Sequence, residues 1–189
     1  MAVAFSLFES QPTPLLGRSA EIEQIAQRLS AGETRLLTLT GPGGVGKTRL
    51  ALAAAIQLTS AFPDGVSFVD LAGIRDPGLV LPTLAKQLGV LDAGGQHLVE
   101  RLQRYLGVRA MVLILDNFEH VLPAASELAP LLAAAPRTAL LVTSRVALHL
   151  RWEHTLRVPP LALPDLNLLP PLDELLQIPS VALFVARAR

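Results

Sequence analysis

The sequence predicts an α/β fold in which a mostly parallel, five-stranded sheet is covered by helices. The predicted strands, such as TALLVTS at 138–144, are short, apolar and β-branched without clean alternation, which is typical of strands buried on both faces. They alternate with helical patterns along the chain, and such alternation implies right-handed crossovers and a parallel sheet. A glycine-rich turn between the first strand and the next helix is the third observation. The expected architecture is a three-layer sandwich.

The first predicted helix follows a leader, residues 1–14, that ends in the turn-prone QPTP. Ser19 can cap this helix and Gly32 can end it. Its apolar face is formed by Ile22, Ile25, Ala26 and Leu29. The later elements are, in chain order, strand 35–40, helix 48–58, strand 66–71, helices 77–89 and 96–106, strand 110–116, a helix reaching about residue 134, and strands 138–144 and 155–158.

The C-terminal part of the chain is rich in proline. Six of the 15 prolines fall between Pro159 and Pro179, which predicts an extended linker. PSVALFVARAR then begins a helix whose apolar face nothing in the sequence covers. We therefore expect one α/β domain at 15–158, and a Pro-rich linker followed by the beginning of a further helix at 159–189.

Composition limits the classes of partner. Apolar residues make up 51% of the 189 residues, charged residues make up 17%, and the formal net charge is zero. This balance argues against direct binding of nucleic acid or an anionic membrane, because both usually require a basic face. The chain has no cysteine, and its N-terminus lacks the basic region of a signal peptide. A cytoplasmic location is the resulting expectation.

The glycine-rich turn GPGGVGKT matches the phosphate-binding pattern G-x-x-x-x-G-K-[ST] and predicts a P-loop NTPase. Glycines let backbone N–H groups wrap the phosphates, and the following helix points its positive end at them. Lys47 is expected to reach the β and γ phosphates of ATP, and Thr48 to offer a hydroxyl to Mg²⁺. The predicted nucleotide-binding residues here are Gly41, Pro42, Gly43, Gly44, Val45, Gly46, Lys47, Thr48 and Arg49.

A second acid stands at the end of the strand in LILDNFEH. At the carboxyl edge of a parallel sheet, Asp116 would face the same crevice as the turn and could hold Mg²⁺ together with Thr48. An ordinary helix cap is the alternative, because Asp between a strand and a helix is common. Asn117 cannot accept a proton at neutral pH. Glu119 could substitute as proton acceptor, or it could be a solvated or structural acid in the first turn of a helix.

The fourth predicted strand ends in TSR at 143–145. An arginine at this edge can contact the γ phosphate and so distinguish ATP from ADP. Arg145 could equally be a surface arginine or a helix-end partner. Asp70 ends the second strand at the same edge, and its role is open.

The ordered motifs resemble a known family. LLGR, TLTGPGGVGKTRLA, FPDGVSFVDLA, LILDNFEH, LLVTSR, VPPLALP and PSVALFVARAR follow one another along the chain. This order is similar to the nucleotide-binding module of the STAND class of signalling ATPases, and in particular to the NB-ARC-like region of large bacterial regulators, including LuxR-type ones. The resemblance implies that Leu16, Gly17 and Arg18 lie near adenine and that Arg145 senses the terminal phosphate. It also implies that residues 15–158 form the P-loop nucleotide-binding domain and that 159–189 form a Pro-rich linker and the start of a truncated helical lid. The parent protein would then carry a winged-helix domain and a sensor domain as well.

Three functions remain open at this point. The leading one is a switch module that binds ATP or ADP with Mg²⁺, hydrolyses slowly through Lys47, Asp116 and Arg145, and self-associates according to the bound nucleotide. The second is a fast motor or loader ATPase related to the AAA+ group, which would need an effective base. The third is an interaction module that binds nucleotide without hydrolysis.

Overall fold

The computed structural model describes residues 15–90 and 97–188. The α-helices are α1 Ser19–Ser30, α2 Lys47–Leu58, α3 Val80–Gln87, α4 Leu98–Gly107, α5 Ala125–Ala134, α6 Leu172–Leu175 and α7 Pro179–Ala188. The strands are β1 Leu36–Thr40, β2 Val66–Asp70, β3 Val112–Asp116, β4 Ala139–Ser144 and β5 His154–Arg157. The predicted leader and the predicted start of the helix at residue 96 lie outside the described residues.

The strands form one five-stranded sheet in the order β2-β3-β4-β1-β5, and every neighbouring pair is parallel. This confirms the predicted α/β class and the parallel sheet. β1 lies between β4 and β5, so the loop that leaves β1 is placed beside the ends of both neighbours. The carboxyl ends of β1, β3 and β4 therefore meet at one edge, where ligands bind in open α/β sheets.

Helices cover the sheet on both faces. On β3, Leu113 and Leu115 belong to a buried cluster that includes residues of α3, α4 and α5, whereas Val112 and Ile114 belong to a cluster with α1 and α2. Adjacent residues of one strand are thus buried on opposite faces, which explains why the strand sequences lack alternation. The result is the predicted three-layer sandwich.

The segment after β3 differs from the predicted continuous helix. Asn117 adopts a left-handed backbone conformation with φ 62°, and two 3₁₀ turns, Phe118–His120 and Leu122–Ala124, precede α5. The left-handed residue stops a helix from starting at the strand end. Pro123 lies in the first turn of the second 3₁₀ element, where its missing N–H costs no hydrogen bond.

Two smaller predictions also differ from the structure. Ser19 is the first residue of α1 and not its cap: Arg18 occupies that position without a side-chain capping bond. The Pro-rich segment is not wholly extended, because it contains the one-turn helix α6. None of the helices in the described parts of the chain is long and apolar enough to cross a membrane.

Candidate functional site

The loop between β1 and α2 carries the phosphate-binding pattern. Its first residue, Gly41, has φ 150°, and a Cβ atom there would lie 2.6 Å from the main-chain oxygen of Val158. The amide of Val158 donates in turn to the Thr40 oxygen at 2.7 Å. The loop therefore starts in close contact with the residue that follows β5, and glycine is required at this point by both conformation and space.

Lys47 is the first residue of α2, and its side chain turns back under the loop. Its ammonium donates to the main-chain oxygens of Gly41 and Pro42 at 2.7 and 2.9 Å. Desolvation by burial lowers the pKa of Lys47, while the Glu119 carboxylate acts in the opposite direction. A buried cation is thus held inside the curve of the loop by carbonyl oxygens.

Asp116 lies at the end of β3 and is 4% exposed. Its carboxylate accepts hydrogen bonds from the Thr48 hydroxyl at 2.8 and 3.0 Å and from the Thr143 hydroxyl at 2.5 Å. The Thr143 oxygen also accepts from the amide of Asn117 at 3.0 Å. The alternative of Asp116 as a helix cap is wrong, because its carboxylate is bonded to hydroxyls of α2 and β4 and is followed by a 3₁₀ turn.

Burial raises the pKa of the Asp116 carboxyl. The hydrogen bonds from Thr143 and Thr48 act in the opposite direction, and the nearby carboxylates of Asp70 and Glu119 add to the rise. Burial is the largest of these effects, so the ionised carboxylate is destabilised where it stands. A cation bound here would relieve that penalty.

The oxygen atoms of Thr48 and Asp116 fit a magnesium ion. A hydroxyl and a carboxylate are hard oxygen donors of the kind that Mg²⁺ prefers, and they lie within 2.8 Å of each other at the mouth of the loop. Mg²⁺ is usually held by one or two such side chains together with substrate phosphates and water. The donor set at this point therefore suits Mg²⁺ bound along with a nucleotide.

Arg145 and Glu119 form an ion pair across the same opening. The Nε–H of Arg145 donates to Glu119 Oε1 at 3.2 Å, and the arginine side chain is 62% exposed whereas the glutamate is 11% exposed. The guanidinium also lies against the loop, since a Cβ atom on Gly43 would be 3.6 Å from its Nη2 atom. Arg145 thus bridges the fourth strand end and the phosphate loop.

The side chains of Lys47, Thr48, Glu119 and Arg145 line one cavity of about 310 Å³. Its lining consists of Gly43, Gly44, Gly46, Lys47, Thr48, Arg49, Asn117, Glu119, Thr143 and Arg145. Thr143 is not among the site residues predicted from sequence, although it lies two residues before Arg145 in the TSR motif. The signal that could have identified Thr143 is a hydroxyl side chain at the end of a strand that neighbours β3.

A larger cavity of about 510 Å³ also borders the loop. The loop residues Pro42, Gly43, Gly44, Val45 and Gly46 contribute to its wall, as does Arg49. The N-terminal segment contributes Leu15, Leu16 and Arg18. The linker and α7 contribute Pro160, Leu161, Leu163, Ser180, Leu183 and Arg187, which the sequence analysis did not single out.

Arg18 ties three segments together at this second cavity. Its side chain is 4% exposed and donates to the Pro159 oxygen at 2.5 Å, to Glu21 at 2.6 Å and to the Val45 oxygen at 3.4 Å. Gly17 packs against the start of α7, because a Cβ atom there would collide with the Pro179 ring. The Leu-Gly-Arg segment therefore connects the phosphate loop to the C-terminal segment.

The fold and the site together define the class of protein. A parallel sheet with a Gly-rich loop between β1 and α2, an acid at the end of β3 and a buried lysine in the loop define a P-loop nucleotide-binding domain. The chain belongs to the AAA domain family, whose model matches residues 30–153. It is thus an AAA-type nucleotide-binding domain, and this fold typically binds its nucleotide with Mg²⁺.

Two curated relatives are bacterial regulators. A Mycobacterium tuberculosis protein named as an HTH-type transcriptional regulator is 42% identical over 139 residues, which cover 73% of this chain and 16% of that protein. The regulatory protein AfsR of Streptomyces griseus is 39% identical over 141 residues, which cover 69% of this chain and 14% of AfsR. The chain therefore spans only about a sixth or less of the length of these relatives.

The fold is also shared with a solved structure. The structure of Drosophila ORC bound to DNA superposes with a TM-score of 0.60 at 18% identity, covering 83% of this chain and 45% of that chain. At this level of identity the similarity concerns the fold alone. It is consistent with the P-loop NTPase sandwich described above.

Proposed function

We propose that this chain is the ATP/ADP-binding switch module of a transcription-regulating ATPase of the NB-ARC-like STAND class. The observation that carries the proposal is the cavity in which Lys47, Thr48 and Arg145 converge at the phosphate loop, with Asp116 bonded to Thr48. The two relatives that are named as regulators support the regulatory setting. In this proposal the state of the parent protein depends on which nucleotide is bound, and less on the rate at which ATP is hydrolysed.

Each side chain has a proposed role. Lys47 binds the β and γ phosphates, exchanging its loop carbonyls for phosphate oxygens. Thr48 and Asp116 hold Mg²⁺ through their oxygens. Arg145 binds the γ phosphate; its exposed side chain lies beside Gly43, so its guanidinium can turn toward that phosphate.

The larger cavity is the proposed site of the adenine and ribose. Its wall is largely apolar, and a planar base fits a pocket lined by leucine side chains. Leu16 on one side and Leu183 of α7 on the other supply such side chains. Residues 15–158 then form the nucleotide-binding domain proper, and 159–188 contribute the start of a lid that covers the base.

Slow hydrolysis is part of the proposal. Lys47, Arg145 and Mg²⁺ would lower the barrier by electrostatic positioning, while Asn117 after the strand acid can orient water but cannot take its proton. A motor or loader ATPase would be expected to turn over faster than about one per second, within the usual range for enzymes. An interaction module would bind nucleotide without measurable hydrolysis.

The chain offers a matched test, because it contains only two lysines. Lys47 is buried in the loop, whereas Lys86 is exposed on α3. Lys47→Ala should weaken binding of ADP with Mg²⁺ at least about 100-fold, since charge-assisted hydrogen bonds contribute about 1.5–3 kcal/mol each. Lys86→Ala should leave the affinity unchanged. Calorimetry that shows equal affinity in both variants would contradict the assignment of the phosphate site.

A further inference from the structure

Glu119 has no role in the function proposed so far, although it lies in the phosphate cavity. It belongs to the 3₁₀ turn Phe118–His120, which is anchored by the fully buried ring of Phe118. The turn places the Glu119 carboxylate among Lys47, Thr48 and Asn117 in the lining of the cavity. Its position is therefore fixed by packing and not by a flexible loop.

The two carboxylate oxygens of Glu119 differ in their partners. Oε1 accepts from the Nε–H of Arg145 at 3.2 Å. Oε2 is buried and has no hydrogen-bond partner among the described residues. A buried polar atom without a partner is uncommon in native proteins and requires an explanation, such as a catalytic role or a bound water or ligand.

The other polar groups of this region cannot take a proton from water. Asp116 already accepts from the hydroxyls of Thr48 and Thr143 and is the proposed ligand of Mg²⁺. Asn117 carries an amide, which does not accept a proton at neutral pH. Among the residues that line the 310 Å³ cavity, Glu119 is the one carboxylate.

We infer that Glu119 is the proton acceptor for ATP hydrolysis at this site, and that Arg145 holds it in an ion pair until a γ phosphate draws the guanidinium away. The inference rests on the proposed nucleotide site. The water oxygen forms a bond to the γ phosphorus, and the bond from that phosphorus to the β,γ-bridging oxygen breaks, leaving its electron pair on ADP. The water proton passes to Oε2 of Glu119 and then to solvent.

This arrangement links turnover to the identity of the bound nucleotide. With ADP, no γ phosphate competes for Arg145, and the Arg145–Glu119 pair remains closed. With ATP, the guanidinium gains a partner of higher charge, and the release of Oε1 leaves both oxygens of the Glu119 carboxylate free to contact the attacking water. Glu119 lies three residues after Asp116. The proposed proton acceptor therefore belongs to the 3₁₀ turn that follows β3 and does not occupy the position of Asn117.

Glu119→Gln tests the inference in the complete chain. Glutamine keeps the size of the side chain and an oxygen that can accept from Arg145, but it cannot take a proton. We expect ATP affinity within about threefold of the unaltered chain and single-turnover hydrolysis slower by about 100-fold or more, as for loss of a general base. Glu100→Gln, at an exposed acid on α4, is the matched control and should hydrolyse normally.

The possible results separate the inference from the proposed function. Hydrolysis by Glu119→Gln at a rate close to that of the unaltered chain overturns the inference, and so does ATP binding without any hydrolysis in the unaltered chain. A large loss of ATP affinity in Glu119→Gln also overturns it, because it indicates a role in binding. Failure of the unaltered chain to bind ATP or ADP instead refutes the proposed function.

Discussion

Replacing Asp116 by asparagine should separate the stability of the fold from its use of Mg²⁺. The carboxylate is buried between Thr48 and Thr143, and burial raises its pKa despite the two hydroxyl donors. An asparagine oxygen can still accept from Thr143, and its amide can donate to the Thr48 oxygen. The substitution therefore removes the charge while the hydrogen-bonded neighbours remain satisfied.

The sign of the effect on stability follows from the pKa. Because burial raises the folded pKa of the carboxyl above its unfolded value, the charge destabilises the folded state at neutral pH. We expect Asp116→Asn to raise the free energy of unfolding without nucleotide, and each kcal/mol gained would raise Tm by about 2–4 °C in a chain of this size.

The pH dependence of this difference has a definite sign. Between the unfolded pKa of 3.8 and the raised folded pKa, the folded state binds more protons than the unfolded state. The stability of the unaltered chain therefore falls as the pH rises through this interval, whereas the asparagine side chain of the variant does not titrate. The advantage of the variant should be greatest at neutral pH and disappear below the unfolded pKa.

The assay compares thermal shifts with ADP in Mg²⁺ and in EDTA. A ligand at about 100 times its Kd stabilises the folded state by about 2.7 kcal/mol. In the unaltered chain the shift with Mg²⁺ should exceed the shift with EDTA, and in Asp116→Asn the two shifts should coincide. Asp70→Asn, at an exposed acid in register with Asp116, is the control that should keep the difference. Two results would refute this reasoning. One is an Asp116→Asn variant whose thermal shift with ADP still depends on Mg²⁺, and the other is an Asp116→Asn variant that is less stable than the unaltered chain at neutral pH.

Two further substitutions test the contacts that join the phosphate loop to the C-terminal segment. Arg18→Ala removes two short charge-assisted bonds, one of them to Pro159, and should lower the free energy of unfolding in urea by about 3 kcal/mol. Gly41→Ala places a Cβ atom 2.6 Å from the Val158 oxygen in a backbone conformation that disfavours it, and should cost about 1–3 kcal/mol and weaken ADP binding. Gly73→Ala, in open space, should be close to neutral, and equal effects of the two glycine substitutions would contradict the steric argument.

The phosphate loop and the strand acid could be predicted from sequence because their signals are local. GPGGVGKT follows an apolar strand, and Asp116 ends another, so parallel strand geometry alone brings them to one edge. Thr143 was not predicted, because a threonine near a strand end carries no local signal until its neighbour in the sheet is known. The order β3-β4 supplies that neighbour, and the strand order is a long-range property.

The helix predicted after Asp116 is present as α5 and ends at Ala134 as expected, but it begins only at Ala125. The apolar spacing beyond residue 118 fits a helix, but Asn117 turns left-handed and the chain makes two 3₁₀ turns first. The first of these turns places Glu119 in the lining of the cavity. From the sequence alone, Glu119 could have been a proton acceptor or a solvated or structural acid. Arg18 shows a similar limit: the family resemblance implied proximity to adenine, but its bonds to Pro159 and Val45 depend on segments that are distant in sequence.

The contact between Gly41 and Val158 makes the exit of β5 a neighbour of the loop that cradles phosphate. The next residue, Pro159, accepts from Arg18, whose guanidinium also reaches Val45 in the same loop. Two hydrogen bonds of a single arginine therefore join the chain at Pro159 to the phosphate loop. We expect a displacement of the linker to reach the loop through this one side chain, without passing through the buried core.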